Sequence, residues 1–318
     1  MTATAISDIV VPEVWAPEVE RMRTEVSQII QSGIAATHPQ ITAQLNSGGQ
    51  SINVPYMNPL TGDSEVITSG TDLTVNAQTG SSQLAIRLMR AKAWGWEDVV
   101  GWVQQGMDLP EAALSNIARW WQVDEQTTLM SVLTGIFTTA LASSHVYDYS
   151  GTGTLNATAI MNATKLLGDN RQNIVGLMCH SKVAADLEIA DLVTALRDSE
   201  SNTSFSMYMN RFRIIEDDDC PVTTGSPDTY RSYLFGAGSI AYGRAAIAPR
   251  QAIEPFRDEL ASTDVLAVRS NHIIHPVGLT YAGAVASGGP SNTTLEAGAS
   301  WTQVFPDKLI RIIAIDSQ

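Results

Sequence analysis

The stretch GAGSIA, residues 236–241, has the glycine spacing of a dinucleotide-binding loop, and Asp258 follows about twenty residues after its second glycine. Such a loop binds pyrophosphate through the N-terminal N–H groups of a helix that begins at the glycines. Here Pro249 and Pro255 interrupt the residues that follow, so that a helix is disfavoured. We predict that the glycines allow close packing of a strand, and a nucleotide-binding oxidoreductase is a remote alternative.

Two other clusters contain residue types that bind metals. His272 and His275 are three residues apart in a strand-like context, which places their side chains on opposite faces and argues against a shared metal. The run EDDDC, residues 216–220, lacks the alternating ligands and the turn glycine of a calcium loop, so we predict a solvated turn. The sequence contains no GxSxG, P-loop, HExxH or CxxC motif. We therefore expect no cofactor, no metal site and no enzymatic activity.

The composition is that of a folded protein with few cations. The chain has 318 residues, is 44% hydrophobic and carries a formal net charge of −14, which argues against a protein that holds nucleic acid by neutralising phosphates. Its apolar runs are shorter than a membrane-spanning helix requires, and its first residues lack the basic start of a secretory signal. We expect a soluble intracellular product, in which Cys179 and Cys220 are reduced thiols.

The elements that would position these residues begin with an arm and a hairpin. Residues 1–38 predict an extended segment and then an amphipathic helix that stops near Gly33. The alternating segments 51–57 and 83–94 predict the two legs of one long hairpin, with Arg87 opposite an apolar face. The residues between them, from Asn58 to Ser82, include no lysine, arginine or aromatic residue. We predict that they form a polar tip with glycine turns.

From Asp108 an apolar stripe predicts one helix of about thirty residues, far longer than an average helix. The stripe consists of Leu114, Ile117, Ala118, Trp121, Leu129, Val132, Leu133, Ile136 and Ala140. Five of the seven tryptophans lie between residues 94 and 121, where we expect them to fill a core or a subunit interface.

Downstream, predicted helices and strands alternate without a clear linker. Helices are predicted at 158–170 and 181–196, and strands at 173–180, 211–217, 231–243, 265–284 and 308–316. This mixture indicates one α+β body with lobes.

In the order of its parts and in its residues, the chain resembles the HK97-type major capsid proteins of tailed phages, and among them the Gp13-like coat proteins. The resemblance is carried by the segments IVVPEVWAPEVERMRTEVSQIIQSGI, INVPYMNPLTGDSEV, RAKAWGWEDV, NIVGLMCHSKVAADL, RFRIIEDDDCPV, YLFGAGSIAYGRA, NHIIHPVGLTYAG, WTQVF and KLIRII. Together these segments cover nearly the whole chain in order.

The resemblance implies an α+β, HK97-like capsid fold with four parts. Residues 1–44 would form an N-arm, 45–92 an E-loop, 93–151 and 261–300 a peripheral domain with a long spine helix, and 152–260 and 301–318 an axial domain. The implied function is structural. Copies would assemble as pentamers and hexamers into an icosahedral shell that encloses phage double-stranded DNA, in the virion and, during assembly, in the host cytoplasm. The implied partners are the chain itself, a portal protein and cement proteins.

Two departures from some relatives lead to further expectations. Those relatives crosslink an E-loop lysine to a neighbouring subunit, whereas this sequence has no lysine before Lys92. We therefore expect a shell without covalent E-loop crosslinks. Other relatives carry a long N-terminal scaffolding segment, but the predicted arm begins close to Met1, so we expect a separate scaffolding protein.

Candidate contacts between subunits follow from the signs of the exposed charges. The arm and the E-loop contain residues of opposite sign, namely Arg21, Arg23, Asp63, Glu65 and Asp72. An encapsulin-like compartment shell, which shares the fold, is the nearest alternative interpretation.

Overall fold

The structure is a computed structural model. It describes residues 34–37, 39–58, 60, 62–67, 72–97, 109–190, 193–197, 204–208, 211–245, 247–258, 260 and 262–318. The arm and the helix predicted before Gly33 lie outside these residues, and so do Arg21 and Arg23.

The described strands, numbered in chain order, are β1 Ala35–Ala36, β2 Ser51–Met57, β3 Gly80–Ile86, β4 Leu88–Glu97, β5 Val146–Asp148, β6 Ile174–Cys179, β7 Val193–Arg197, β8 Ser204–Tyr208, β9 Phe212–Glu216, β10 Val222–Thr223, β11 Thr229–Gly236, β12 Ile240–Arg244, β13 Ile253–Asp258, β14 Thr263–Pro276, β15 Leu279–Tyr281, β16 Trp301–Gln303 and β17 Ile312–Ser317. The described α-helices are α1 Pro39–Ser47, α2 Leu109–Thr138, α3 Ala157–Thr164, α4 Ser181–Ile189, α5 Pro249–Ala252 and α6 Asn292–Glu296, and 3-10 helices lie at Lys165–Asn173, Gly298–Ser300 and Asp307–Leu309.

Helix α2 is the longest described helix, and its 30 residues match the length that the apolar stripe predicts. Its buried residues repeat at helical spacing and include Ile117, Trp121, Leu133 and Ile136. At about 1.5 Å per residue the helix is about 45 Å long. It therefore contacts both of the large sheets along its length.

The first large sheet has five strands, in the order β1-β12-β14-β13, with β4 on the other side of β14. One of its faces packs on α2, where Leu266 and Val268 contact Ile117 and Trp121 in one buried cluster. The predicted boundary at residue 260 between the axial and peripheral domains falls within this sheet. Because β12 and β13 both pair with β14, that boundary divides a single hydrogen-bonded unit.

The second large sheet has eight strands, in the order β5-β17-β11-β6-β9-β8-β7, with β10 paired to β11. One buried cluster joins α3 and α4 to this sheet and contains Ile160, Leu187, Leu177 and Ile313. Another cluster joins α2 to the same sheet and contains Phe137, Tyr233 and Phe235 among others. The predicted α+β body is thus confirmed.

Several predicted elements have different boundaries in the structure. The helix predicted at 181–196 ends at Ile189, and residues 193–197 form strand β7, which pairs with β8. The single strand predicted at 231–243 is two strands, because the chain leaves one sheet at Gly236 and enters the other at Ile240. The strand predicted at 265–284 is also two strands, β14 and β15, and β15 pairs with β16 in a separate sheet. These errors arise because long-range pairing, which local pattern does not report, decides the conformation.

Candidate functional site

The feature that departs most from a compact subunit is the antiparallel pair β2 and β3 with the residues that connect them. Pairing runs from Ser51 opposite Ile86 to Met57 opposite Gly80. We call residues 51–86 the projecting hairpin. The strand pair confirms the predicted hairpin, but the second leg is shorter than predicted. It ends at Ile86, and residues 88–97 pair with β14 instead.

The inner part of the projecting hairpin is fixed to the body. Ile52 and Ala85 are buried in a cluster with Ile41 and Ile273. Buried Gln83 accepts a hydrogen bond from the Gly278 N–H at 3.0 Å. The hairpin therefore leaves the body from a base with both apolar and polar contacts.

The outer part has the opposite character, because its apolar side chains lie in solvent. Val66 is 89% exposed and Val75 is 92% exposed. The other exposed large apolar residues of this part are Met57, Leu60, Ile67 and Leu73. A contiguous set of exposed apolar residues marks an interaction surface more often than a free one.

Hydrogen bonds order the outer part without burying it. The Asn58 N–H donates to the Thr79 carbonyl at 3.0 Å, which extends the ladder by one residue. Farther out, the Glu65 carboxylate accepts from the Thr74 N–H at 3.0 Å. Hydrogen bonds from the Thr74 side chain and backbone lower the pKa of Glu65, because they favour the ionised carboxylate. The outer part thus presents an ordered negative charge.

The candidate contact residues can be placed only in part. Asp63, Glu65 and Asp72 are exposed on the outer part of the hairpin. Because Arg21 and Arg23 lie outside the described residues, their pairing with these carboxylates remains a prediction. Lys92 is in β4, opposite Val268, and is not part of the hairpin.

Arg87 lies where the hairpin meets the body. Its side chain is buried, with 7% exposure, and its Nη2 atom donates to the Leu45 carbonyl near the end of α1. Its backbone N–H donates to the Gln50 carbonyl at 2.9 Å. Arg87 thus joins the base of the hairpin to α1. A lone arginine within an alternating apolar run is the only sequence signal of this contact, because Leu45 is 42 residues away.

The geometry does not support a nucleotide site at GAGSIA. Gly236 ends β11, Gly238 has a φ of +64° in the turn, and strand β12 follows at Ile240. A pyrophosphate loop needs the first turn of a helix at that position. A Cβ atom at Gly236 would lie 2.6 Å from the Cβ of Arg311, so this glycine serves close packing, as predicted.

The other candidate chemical groups have structural environments. His272 and His275 are three residues apart on β14, which places their side chains on opposite faces of the strand, and both are buried. Cys179 and Cys220 are free and buried, and burial raises the pKa of the Cys179 thiol to about 12. In the part of the chain that the structure describes, no group of three or more histidine, cysteine or acidic residues could hold a metal ion.

Tryptophans near the start of α2 pack together as predicted. Trp120 makes edge-to-face contacts with both Trp94 and Trp121, at centroid distances of 5.1 and 4.9 Å.

The acidic run 216–220 forms a turn in which Asp217 Oδ1 accepts from the Asp219 N–H at 2.9 Å. Asp217 itself is buried, and burial raises the pKa of this carboxyl group.

Among the described helices, none is long and apolar enough to cross a membrane.

Comparison with known proteins identifies the class of protein that carries this hairpin. No family model matches the chain. The major capsid protein of Bacillus phage SPP1 is 34% identical over 320 residues, which cover 98% of each chain.

Solved structures show the same fold at much lower identity. The capsid of Ralstonia phage GP4 aligns with a TM-score of 0.57 and 10% identity over 89% of this chain and 87% of that chain. The head structure of Helicobacter pylori bacteriophage KHP40 aligns with a TM-score of 0.53 and 11% identity over 85% and 84% of the two chains. A chain of Mycobacterium phage Che8 aligns with a TM-score of 0.51 and 12% identity over 89% of each chain.

These similarities favour a phage shell over the encapsulin-like and oxidoreductase alternatives, and a structural role over a catalytic one. The projecting hairpin and the long helix α2 are the elements that the sequence resemblance assigns to the E-loop and the spine helix. The chain belongs to the phage major capsid proteins with the HK97-like fold.

Proposed function

We propose that copies of this chain assemble as pentamers and hexamers into an icosahedral shell that encloses double-stranded DNA. The observation that carries this proposal is the projecting hairpin, which is buried at its base and has exposed apolar side chains on its outer part. Exposed apolar side chains are stabilised when they are buried on a second copy, so assembly supplies contacts that one subunit lacks.

The shell is held by non-covalent contacts of the hairpin. An isopeptide crosslink requires a lysine amine, and the sequence has no lysine between Arg23 and Arg87. Lys92 lies in β4, within the five-stranded sheet. The hairpin thus lacks the nucleophile that covalent chainmail needs.

Strand pairing suggests how the four parts divide the chain. The N-arm takes residues 1–44, and the E-loop takes residues 45–87, because β4 pairs with β14. The peripheral domain contains α2 and the strands β4, β12, β13 and β14 of the five-stranded sheet, to which β1 of the N-arm adds a fifth strand. The axial domain contains the eight-stranded sheet, to which β17 returns.

Other components complete the particle. A separate scaffolding protein, a portal protein and cement proteins are the partners that we assign to the shell, and assembly takes place in the host cytoplasm. The net charge of −14 agrees with a shell that encloses DNA without a basic, sequence-specific binding site.

Particles purified from cells that produce the chain together with its scaffolding protein test this proposal. Negative-stain images should show closed shells with five-fold and six-fold clusters of subunits. After boiling in denaturant, the shell protein should migrate as a monomer. Absence of shells would overturn the assembly proposal, whereas a ladder of high-mass bands would overturn only its non-covalent part.

A further inference from the structure

The eight-stranded sheet collects cations at one end of its strands. Strands β6 and β9 run parallel and both begin at this end, with Ile174 and Phe212. Strand β11 ends here at Gly236, which pairs with Ile174, and β17 begins beside it at Ile312. We call this end of the sheet the basic end.

Five lysine and arginine residues lie at the basic end. They directly precede the strands or belong to the 3-10 helices that adjoin them, and they are Lys165, Arg171, Arg211, Lys308 and Arg311. All five side chains are exposed or half-buried. The sheet thus gathers them from three separate parts of the sequence.

Hydrogen bonds join these parts into one surface. The Arg211 Nη2 atom donates to the Arg171 carbonyl at 2.6 Å. The Asn170 amide donates to the Lys308 carbonyl at 2.7 Å, which connects the two 3-10 helices. The Arg311 Nη1 atom donates to the carbonyl of Ala237, the residue after β11, at 3.2 Å. The positions of the cations are therefore fixed by the body of the protein.

The arginines of the basic end differ from the arginines that form ion pairs. Arg231, near the opposite end of the sheet, binds the Asp316 carboxylate at 2.6 Å, so that its charge is compensated. Arg211 and Arg311 instead donate to neutral backbone carbonyls, which orient a guanidinium without compensating its charge. Each guanidinium also has further N–H donors for a ligand.

The lysines of the basic end are only weakly compensated. Lys308 is 3.8 Å from Asp169, but the two side chains are 64% and 99% exposed, so this pair contributes little. Lys165 donates to the neutral Asn162 amide oxygen at 2.7 Å. The basic end therefore attracts anions.

The opposite ends of the same strands are acidic. Strand β9 ends at Glu216, and Asp218 and Asp219 follow in an exposed turn. Charge is thus separated along the strands, although the whole chain carries a net charge of −14. A large anion is attracted to one end of the sheet and repelled by the other.

The dimensions and composition of the basic end suit a dense polyanion. Neighbouring strands are about 4.8 Å apart, so the three spacings from β17 to β9 extend over about 14 Å. Double-stranded DNA carries one phosphate charge per about 1.7 Å of its axis, or about eight charges over this length. Exposed Gln172 and Asn173 precede β6 between the arginines, and such amides also contact phosphates. One carboxylate of another protein would compensate only one of the five cations.

We infer that the basic end binds the phosphate backbone of the enclosed double-stranded DNA, without reading its sequence. This inference rests on the proposed function, because the DNA reaches this surface only inside a shell. It adds a local DNA contact to a chain whose net charge alone argues against one.

Binding of a short fluorescent duplex to the purified full-length subunit tests the inference. Anisotropy measures the affinity between about 50 and 200 mM salt. Five phosphate contacts should give a slope of log affinity against log salt of about −4.5, which is a loss of about 500-fold over this range. The variant R211Q/K308Q/R311Q removes three contacts, so its slope should be about −1.8.

Two further variants control for net charge and for folding. K92Q/R119Q/K182Q also removes three exposed cations, but they lie away from the basic end, so the slope should stay at about −4.5. R211K/R311K keeps the charge at the basic end and should also retain the original slope. Equal slopes for the two glutamine variants would overturn the inference.

A density map of DNA-filled particles provides the second arm. The outermost DNA layer should contact the side chains of Arg211, Lys308 and Arg311, and this density should be missing from empty shells. A map in which these side chains bind carboxylates of another copy or of another protein, or face the outside, would overturn the inference and leave the proposed function intact. Absence of shells for the unmodified chain would overturn both.

Discussion

The carboxylate of Glu125 and the guanidinium of Arg244 face each other between helix α2 and strand β12, with 3.0 Å between Oε2 and Nη2. The Tyr242 hydroxyl donates to the other carboxylate oxygen at 2.9 Å. The side chains of Arg244 and Glu125 are only 14% and 10% exposed. This pair fixes the middle of helix α2 to the five-stranded sheet.

Glu125→Ala should destabilise the unassembled subunit, because it leaves Arg244 as a buried cation without this partner. Loss of one member of a buried pair costs about 3 kcal/mol in free energy of unfolding. Urea denaturation of the purified subunit measures this change. Glu254→Ala is the matched control, since it removes an exposed ion pair with Arg269 and should cost at most about 1 kcal/mol. Equal losses in the two variants would contradict the prediction.

Gly135→Ala should also lower the free energy of unfolding, although alanine favours helices. A Cβ atom at Gly135 would lie 2.0 Å from the Leu295 carbonyl oxygen, the same atom that accepts the Trp301 indole N–H at 2.8 Å. The higher helix propensity of alanine raises the free energy of unfolding by about 1 kcal/mol. Moving α6 and Trp301 apart from α2 costs more than this, so we expect a net loss of about 2 kcal/mol.

Thermal unfolding monitored by tryptophan fluorescence measures the effect of this substitution. Gly151→Ala serves as the control, because a Cβ atom there would meet no atom within 4 Å. The control should change the free energy of unfolding by less than about 0.5 kcal/mol. A Gly135→Ala subunit that is as stable as the control would show that helix α2 tolerates the added methyl group.

The two parts of the projecting hairpin should respond differently to substitution. Ile52→Ala removes a buried side chain from the base and should lower the free energy of unfolding by about 3 kcal/mol. Val66→Ser and Val75→Ser change only exposed side chains and should leave the subunit within about 0.5 kcal/mol of the original. Their effect should appear in assembly, as a lower yield of shells in sedimentation.

Two results would contradict the predicted difference between the base and the outer part of the hairpin. Val66→Ser and Val75→Ser subunits that unfold more easily would show that the outer part packs on its own body. Normal shell yields for both variants, and for the two substitutions combined, would show that the apolar side chains of the outer part do not contribute to contacts between copies.

Much of the fold follows from local pattern. The alternation of SINVPYM and the apolar stripe of α2 each predict an element whose bounds the structure reproduces closely. Each of these elements buries one face, so the spacing of its apolar residues indicates which side faces the core. The continuous apolar run IVGLMC predicts a buried strand instead, and it forms β6, in which five of the six residues are buried.

The remaining features depend on contacts between distant residues. Alternation continues unbroken through Arg87, and no local signal indicates that the chain changes its partner strand there from β2 to β14. The exposure of Ala91 and Ala93 is equally hard to predict, because alanine is compatible with either side of a sheet. Their exposure becomes evident only from the register with β14.

His275 should make the subunit less stable as the pH falls. Burial lowers the pKa of His275 to about 4, against a smaller opposing effect of a hydrogen bond with the Leu279 backbone. In the unfolded chain the pKa is about 6.5. Between these values the unfolded state binds a proton that the folded state does not, so the free energy of unfolding decreases as the pH falls from about 6.5 to about 4. Below about pH 4, His275 causes no further decrease in the free energy of unfolding.

Urea denaturation at several pH values, with His275→Gln as the variant, measures that contribution. Glutamine does not titrate, and comparison with the original chain cancels the effects of all other groups. The original should lose up to about 1.4 kcal/mol per pH unit more than the variant between pH 6.5 and pH 4. Burial also lowers the pKa of His145, so a variant with both substitutions should have a still flatter profile. Parallel profiles for the original and His275→Gln would mean that protonation of this buried imidazole is not linked to unfolding.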